Sequence, residues 1–237
     1  MHVQSSAAYF HVERVKAVIK DKPFFYSETH LDQLAQANTD FSLFSMPNNT
    51  TLEDHISAAR YQKWTTRVKK HFGVNLKQFN RSLPFLTTQF LQSHYLASDH
   101  SLPLDKFLWE FAKSEGRQVD GIESVEFQTQ VLRQISLKDQ LKMLKDFLAN
   151  PNKYKRKLEK LSIAYQAQEV NKLYLLTAAS VGGLRRILLS DRNKRMARVI
   201  LDHKAQPSVY TFGAAHLAGA QGVLALLKRG GMQVVAF

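Results

Sequence analysis

The chain has 237 residues, of which 44% are hydrophobic and 22% charged, with ten glycines and six prolines. This composition excludes a disordered or collagen-like chain and predicts one large packed domain, or a core with an inserted subdomain. The chain has no cysteine, which excludes disulfides, thiolate zinc sites, iron–sulfur clusters and a cysteine nucleophile. Any metal must therefore be bound by histidine and carboxylate side chains.

The net charge is +13, from 33 basic and 20 acidic residues. Such a charge favours anionic partners in general, among them nucleic acid, anionic lipid and cell-wall polymer. The basic residues are spread along the chain, and their two local clusters, residues 153–157 and 192–198, fit solvated helix faces. We therefore do not expect nucleic-acid binding. No apolar run reaches the roughly 18 residues of a membrane span, and the start lacks a signal-peptide pattern, so we expect no transmembrane segment.

The first half of the chain alternates predicted helices with two short strands. Apolar spacing and stop signals predict helices over residues 7–20, 52–70, 83–96 and 104–114. Strands are predicted over residues 23–27 and within residues 116–123. The first is aromatic and nearly continuously apolar, as a strand buried on both faces would be. A glutamate follows or ends each strand, namely Glu28 and Glu123.

The second half predicts further helices and a closing βαβ unit. Helices are expected over residues 137–148, 154–176, from an N-cap at Asp191, and over residues 222–229. Strands over residues 208–212 and 232–237 flank the last helix. The whole pattern predicts an α/β fold with a mainly parallel central sheet and crossover helices, in which ligands bind beyond the carboxyl ends of the strands. His216 lies at such an end.

The start of the chain resembles its end. His2 is followed by small residues, a helix with a basic end and an apolar strand, as His216 is, but no strand precedes His2. We therefore expect a strand and a glycine to be missing before His2. We also expect an open edge or gap beside the strand at residues 24–27, which would favour a homodimer.

Five residues at strand ends are candidates for chemistry: His2, Glu28, His30, Glu123 and His216. Their strands would bring them to one edge of the sheet, because neighbouring parallel strands lie about 4.8 Å apart. Imidazole and carboxylate suit Zn, Mn, Co or Fe, and a bound metal lowers the pKa of its water while a nearby carboxylate serves as general base. His30 fits a solvent-facing loop better.

Each candidate also has a plain structural explanation. His216 would then bond a backbone carbonyl at the strand exit, and Glu28 or Glu123 would cap a helix. The small residues around His216 would let a substrate approach, which favours a functional role. Arg192 and Asn193 either position a polar substrate group or simply begin a helix.

Several segments in fixed order resemble one known family. Residues 213–224 match the motif G-A-x-H-L-x-G-x-x-G-v-l, residues 192–197 match R-N-x-x-M-A, and residues 104–128 and 26–28 match its central stretch and first strand end. On these motifs the sequence resembles the TraB/GumN family, which includes the Tiki proteases, over residues 1–237. The family opens with an apolar strand and G-T-x-H, whereas this chain begins at the position of x.

The resemblance implies a single domain over residues 1–237, with a helical insertion at about residues 40–115 that forms a cap over the sheet's rim. It implies a metal-dependent hydrolase, peptidase-like, that binds Mn, Co or Zn through His2, His216 and Glu28. Glu28, Glu123 and His216 would be catalytic, with Arg192 and Asn193 as polar support, and the substrate would be a peptide or a small polar molecule. The resemblance also suggests a periplasmic or otherwise extracytoplasmic location.

Two other functions remain open from the sequence. One is a catalytically impaired relative that binds an anionic partner through its basic surface. The other is a hydrolase without metal, in which a histidine acts directly as general base.

Overall fold

The computed structural model describes residues 4–37, 44–96 and 99–236. Within them lie three strands, β1 (Phe24–Thr29), β2 (Gln118–Glu123) and β3 (Ser208–Thr211). The strands are parallel in the order β2-β1-β3. The predicted α/β fold with a parallel sheet and crossover helices is confirmed, and helices make up most of it.

The helices have the following bounds in chain order: α1 (Val12–Asp21), α2 (Leu31–Ala37), α3 (Leu52–His55), α4 (Ala58–Phe72), α5 (Pro84–Ser93), α6 (Leu104–Ser114), α7 (Val125–Arg133), α8 (Leu137–Ala149), α9 (Pro151–Gln166), α10 (Val170–Val181), α11 (Asp191–Asp202) and α12 (Val223–Arg229). Short 3-10 turns join several of them, and a π-helical turn, Arg186–Ser190, leads directly into α11.

Helices cover both faces of the sheet. Neighbouring residues of β1 point to opposite sides, and the large side chains on each side pack against helices. Phe25 is fully buried against Trp109 of α6 and Ile19 of α1. Tyr26 packs on the other face, in a cluster with Met196 of α11 and Val223 of α12. The three layers hold the carboxyl ends of the strands close to the start of α11.

A second core lies among helices away from the sheet. In it, the buried side chains of Trp64 of α4, Leu76, Leu91 of α5 and Leu144 of α8 pack together. Helix α6, by contrast, packs on the sheet with Trp109. The helical insertion at residues 40–115 stays a prediction, and residues 38–43 and 97–98 lie outside the described part of the chain.

The expected edge or gap beside β1 is wrong. Phe24 pairs with Gln118 of β2 and with Ser208 of β3, so β1 is the central strand with backbone partners on both sides. The aromatic run of β1 fits this position, since a central strand is covered on both faces. Among the residues described, the outer edges of the sheet belong to β2 and β3.

The predicted strand over residues 232–237 is also wrong across its described residues, 232–236, which form no strand. Met232 and Val234 pack on the cluster around Tyr26, while Val235 is 70% exposed. Two of the apolar residues that predicted a strand thus pack on the core while residues 232–236 form no strand. The closing segment, as far as it is described, is therefore a helix followed by an irregular tail rather than a βαβ unit.

Four helix predictions need correction. The helix expected over residues 7–20 begins only at Val12, and the helix expected over residues 52–70 is broken between α3 and α4, where Ile56 is extended. The helix expected over residues 154–176 is broken between α9 and α10, where Gln168 has a φ of 55°. Asp191 is not an N-cap, because it already has helical backbone angles and continues from the π-helical turn. Among the residues described, no single helix is long and apolar enough to cross a membrane, although the bent pair Val170–Leu184 and Arg186–Asp202, at 119°, meets that requirement by length and composition.

Candidate functional site

The carboxyl ends of β1 and β2 bring two glutamates together. The strand register pairs Ser27 with Gly121 and Thr29 with Glu123, so Glu28 and Glu123 end adjacent strands. Gly121 permits the close approach, because a Cβ atom there would lie 2.2 Å from the backbone nitrogen of His30. A side chain at this position would force the strand ends apart.

Arg192, in the first turn of α11, binds both glutamates. Its Nη2 donates to Glu123 Oε2 at 2.6 Å and also to Glu28 Oε1, and its Nε donates to both carboxylate oxygens of Glu123 at 3.1 Å. The Arg192 side chain is 12% exposed and that of Glu123 is fully buried. The five N–H donors of a guanidinium lie in one plane and point outward from its edges, so one arginine can bond two carboxylates at once; a lysine ammonium lacks this planar fork.

Gln128 completes this network and was not among the residues predicted for the site. Its Nε2 donates to Glu28 Oε1 at 3.3 Å and to Glu123 Oε2 at 3.1 Å. It lies on α7, which begins directly after β2 with Ser124 as N-cap. Its place in the family-like central stretch was a signal for it, whereas a glutamine on an amphipathic helix carries none by itself.

Charge pairing fixes the ionisation of Glu28. Burial by itself would raise the pKa of Glu28, but the positive charge and hydrogen bonds of Arg192, with a contribution from His216, lower it to about 2. Burial by itself would lower the pKa of Arg192, but the two glutamates outweigh it and raise the pKa of the guanidinium. The pair is therefore ionised throughout the neutral range.

His216 is held on the other side of the site by Asn193, the next residue of α11. His216 Nδ1 lies 2.6 Å from Asn193 Oδ1. Asn193 Nδ2 in turn donates to the backbone carbonyl of Gln221 at 2.7 Å. Both side chains are buried, with 5% of His216 and 1% of Asn193 exposed.

The imidazole of His216 is neutral at pH 7. Burial lowers its pKa most, the Glu28 carboxylate opposes this, and the Arg192 guanidinium lowers it further, with a result of about 4. Within the described part of the chain, no hydrogen bond reaches Nε2. A neutral imidazole whose Nε2 is not engaged can accept a proton or bind a metal ion.

Gly213 separates His216 from Glu28. A Cβ atom built on Gly213 would lie 3.6 Å from His216 Cδ2 and 3.8 Å from Glu28 Oε2. The backbone N–H of Gly213 also donates to Glu28 Oε2 at 3.3 Å. Gly213 itself is exposed and the side chain of Glu28 is 31% exposed, so the Glu28 side of the site reaches the protein surface.

The structure thus brings together Glu28, Glu123, Arg192, Asn193 and His216, and their catalytic roles stay predictions. His30 lies apart, with its ring 4.9 Å from that of Trp109 in an edge-on contact. His2 lies outside the described residues.

The described residues do not by themselves form a metal centre. Across residues 4–37, 44–96 and 99–236, no three histidine or acidic side chains converge as ligands. Glu123 and one oxygen of Glu28 are already paired with Arg192, which leaves His216 and the second oxygen of Glu28. A catalytic zinc site uses three protein ligands, so the expected third ligand, His2, would have to complete the set.

Two shallow cavities of about 440 Å³ each lie near α10 and not on the five site residues. One begins directly after His216 and is lined by Leu217, Ala218, Leu224 and Lys228, among others. The other is lined by residues 168–172.

Comparison with known proteins gives one match. The model of the TraB/PrgY/gumN family matches residues 1–236. No curated protein matches the chain, and no solved structure matches it. The family match spans every element that contributes to the site.

Proposed function

Because this chain belongs to the TraB/PrgY/gumN family, we propose that it is a hydrolase acting on a peptide or amide bond, with His216 as its reacting group. The observation that supports this most is the buried neutral imidazole, whose Nδ1 is tied to Asn193 and whose Nε2 no described hydrogen bond engages. Buried ionisable groups with shifted pKa values, close to an exposed glycine, are typical of active sites.

In this proposal His216 Nε2 removes a proton from an attacking water while Glu28 stabilises the resulting imidazolium. Glu28 is suited to this role because its carboxylate is ionised and lies across Gly213 from the imidazole. Arg192 keeps Glu28 ionised, and a carboxylate with a pKa of about 2 is a weak general base. We therefore assign the proton transfer to His216 rather than to Glu28.

The metal-dependent form of this function is the one that the family resemblance implies. It requires His2 to join His216 and Glu28 as a ligand of Mn, Co or Zn. A bound ion would supply a more acidic water at neutral pH.

A second candidate is a binding protein for an anionic partner, favoured by the net charge of +13. Exposed basic side chains on α9, such as Lys153, Arg156 and Lys160, would contribute. A homodimer also remains a proposal, and its contact would use the outer edge of β2 or β3 rather than of β1.

The test is cleavage of a mixed peptide library by the purified chain in three buffers: with EDTA, with added Mn²⁺, and with neither. Turnover that resists EDTA supports direct action of histidine, and turnover that depends on Mn²⁺ supports the metal-dependent form. Absence of turnover in all three buffers, together with salt-sensitive retention on heparin, would contradict the hydrolase and support the binding protein.

A further inference from the structure

Asn193 has two different neighbours, one at each end of its side-chain amide. Its Nδ2 donates to the backbone carbonyl oxygen of Gln221 at 2.7 Å, and its Oδ1 lies 2.6 Å from His216 Nδ1. A carbonyl oxygen only accepts hydrogen bonds, so it must face the NH₂ group. The main chain at Gln221 therefore fixes which way the Asn193 amide points.

This orientation decides where the proton of neutral His216 lies. Asn193 Oδ1 is an acceptor without a proton, so the 2.6 Å contact requires the hydrogen on His216 Nδ1. Nε2 then carries the lone pair. With the amide reversed, its NH₂ group would face the imidazole and donate to an unprotonated Nδ1. Its Oδ1 would then face the Gln221 carbonyl oxygen, so two acceptors would meet without a proton between them.

We infer that Asn193 is a positioning residue that holds His216 in the tautomer with hydrogen on Nδ1 and a free lone pair on Nε2. The inference rests on the proposed function only in taking Nε2 as the reacting atom. In metal-bound and catalytic histidines, the group that accepts a hydrogen bond from the second ring nitrogen fixes the ring orientation and the tautomer. Asn193 would have this role for His216.

The loop that supplies the Gln221 carbonyl is itself tightly determined. Gly222 lies so close to the preceding turn that a Cβ atom there would be 2.2 Å from the carbonyl oxygen of Ala218. Gly219 has a φ of +86°, and a Cβ atom on it would be 2.6 Å from the Tyr174 ring. These two glycines let residues 217–222 turn back toward α11, which places a main-chain acceptor at Asn193 without any polar side chain.

The site therefore depends on the main-chain carbonyl of Gln221, which a motif written in side chains does not reveal. The family-like glycines at positions 219 and 222 have a functional consequence here, because they bring the Gln221 carbonyl to the amide. The side chain of Gln221 is exposed and takes no part in this contact.

The experiment is a long-range ¹H–¹⁵N correlation spectrum of the full chain labelled with ¹⁵N-histidine, at pH 7 and without added metal. The His216 signals are identified by their loss in His216→Gln. We expect a protonated Nδ1 and an unprotonated Nε2. A spectrum of the unmodified chain with hydrogen on Nε2 of His216 would overturn the inference.

Two variants sharpen this result. Asn193→Leu removes the acceptor, so His216 should shift toward the form with hydrogen on Nε2, and kcat should fall at least tenfold with KM little changed. Gln221→Ala keeps the backbone carbonyl and should leave both the tautomer and kcat unchanged. A tautomer that is unaltered in Asn193→Leu, or altered in Gln221→Ala, would contradict the inference. The expected tautomer in an unmodified chain without turnover would support it and overturn the proposed function alone.

Discussion

Arg192 Nη2 lies 2.6 Å from Glu123 Oε2, and the carboxylate of Glu123 is completely buried. This ion pair joins the first turn of α11 to the end of β2, and the second contact of Arg192, to Glu28, joins the same turn to β1. Arg192 is therefore the side chain through which two strand ends and a helix are held at one site.

Arg192→Met should destabilise the fold strongly. It leaves two carboxylates without their cation, and removing one partner of a buried pair costs about 3–5 kcal/mol. Unfolding in urea, followed by circular dichroism, measures the difference. The triple variant Arg192→Met with Glu28→Gln and Glu123→Gln should recover part of the loss, because no charge is then left unpaired. A loss below about 1 kcal/mol in the single variant would contradict this role.

Acid should destabilise the protein in two steps. The folded-state pKa of His216, about 4, lies below its ordinary value of 6.5, so the unfolded chain binds this proton first and stability falls from about pH 6.5 to 4. The pKa of Glu28, about 2 against an ordinary 4.5, gives a further loss as pH falls from about 4.5 to 2. Each step is at most about 1.4 kcal/mol per pH unit.

Urea midpoints measured between pH 7 and 3 test this. His216→Gln should flatten the upper step and reduce the lower one only by the contribution of His216 to the pKa of Glu28. Constant stability of the unmodified protein between pH 6.5 and 4 would contradict the burial of a neutral imidazole.

Substitutions of Gly213 should change the access of substrate to the site and leave the stability of the fold nearly unchanged. Its backbone angles, φ −55° and ψ 133°, suit any residue, and a Cβ atom there makes only ordinary contacts with His216 and Glu28. The free energy of unfolding of Gly213→Ala should therefore lie within about 0.5 kcal/mol of that of the unmodified protein. The larger Gly213→Val should lower turnover at least about tenfold, a barrier of roughly 1.4 kcal/mol. Full turnover in Gly213→Val would show that substrate does not approach over this glycine.

Alanine substitution at Gly121 tests the packing of the strand ends, and the same substitution at Gly183 is its matched control. A Cβ atom on Gly121 would lie 2.2 Å from the backbone of His30, whereas one on Gly183 would meet nothing within 4 Å. Gly121→Ala should cost about 1–3 kcal/mol by overpacking, and Gly183→Ala should cost nothing measurable. Equal melting temperatures for the two variants would contradict the close approach of β1 and β2.

The sequence predicted the polar residues of the site better than the way they are connected. Glu28, Glu123 and His216 were identified because they end strands, and strand ends are marked by apolar runs and glycines. Their neutralisation by Arg192 was not predicted, because local spacing does not reveal which cation of α11 reaches the sheet. The Gln221 contact was hidden for a related reason, since a main-chain carbonyl has no residue type to recognise.

The errors in the fold have similar physical origins. Residues 232–236 are mostly apolar, as a buried strand would be, but apolar character reports side-chain burial and not backbone pairing. The central place of β1 was missed because strand order depends on contacts distant along the chain. The break at Gln168 was missed because a single residue with positive φ leaves the apolar spacing of α9 and α10 intact.

The most direct test of the account is peptide hydrolysis by His216→Gln, compared with the unmodified chain and with His71→Gln, which alters an exposed histidine of α4. All three proteins should have the same circular dichroism spectrum. We expect His71→Gln to keep full turnover and His216→Gln to lose at least about a hundredfold, the contribution typical of a general base. Turnover in His216→Gln within twofold of the unmodified chain would contradict the account.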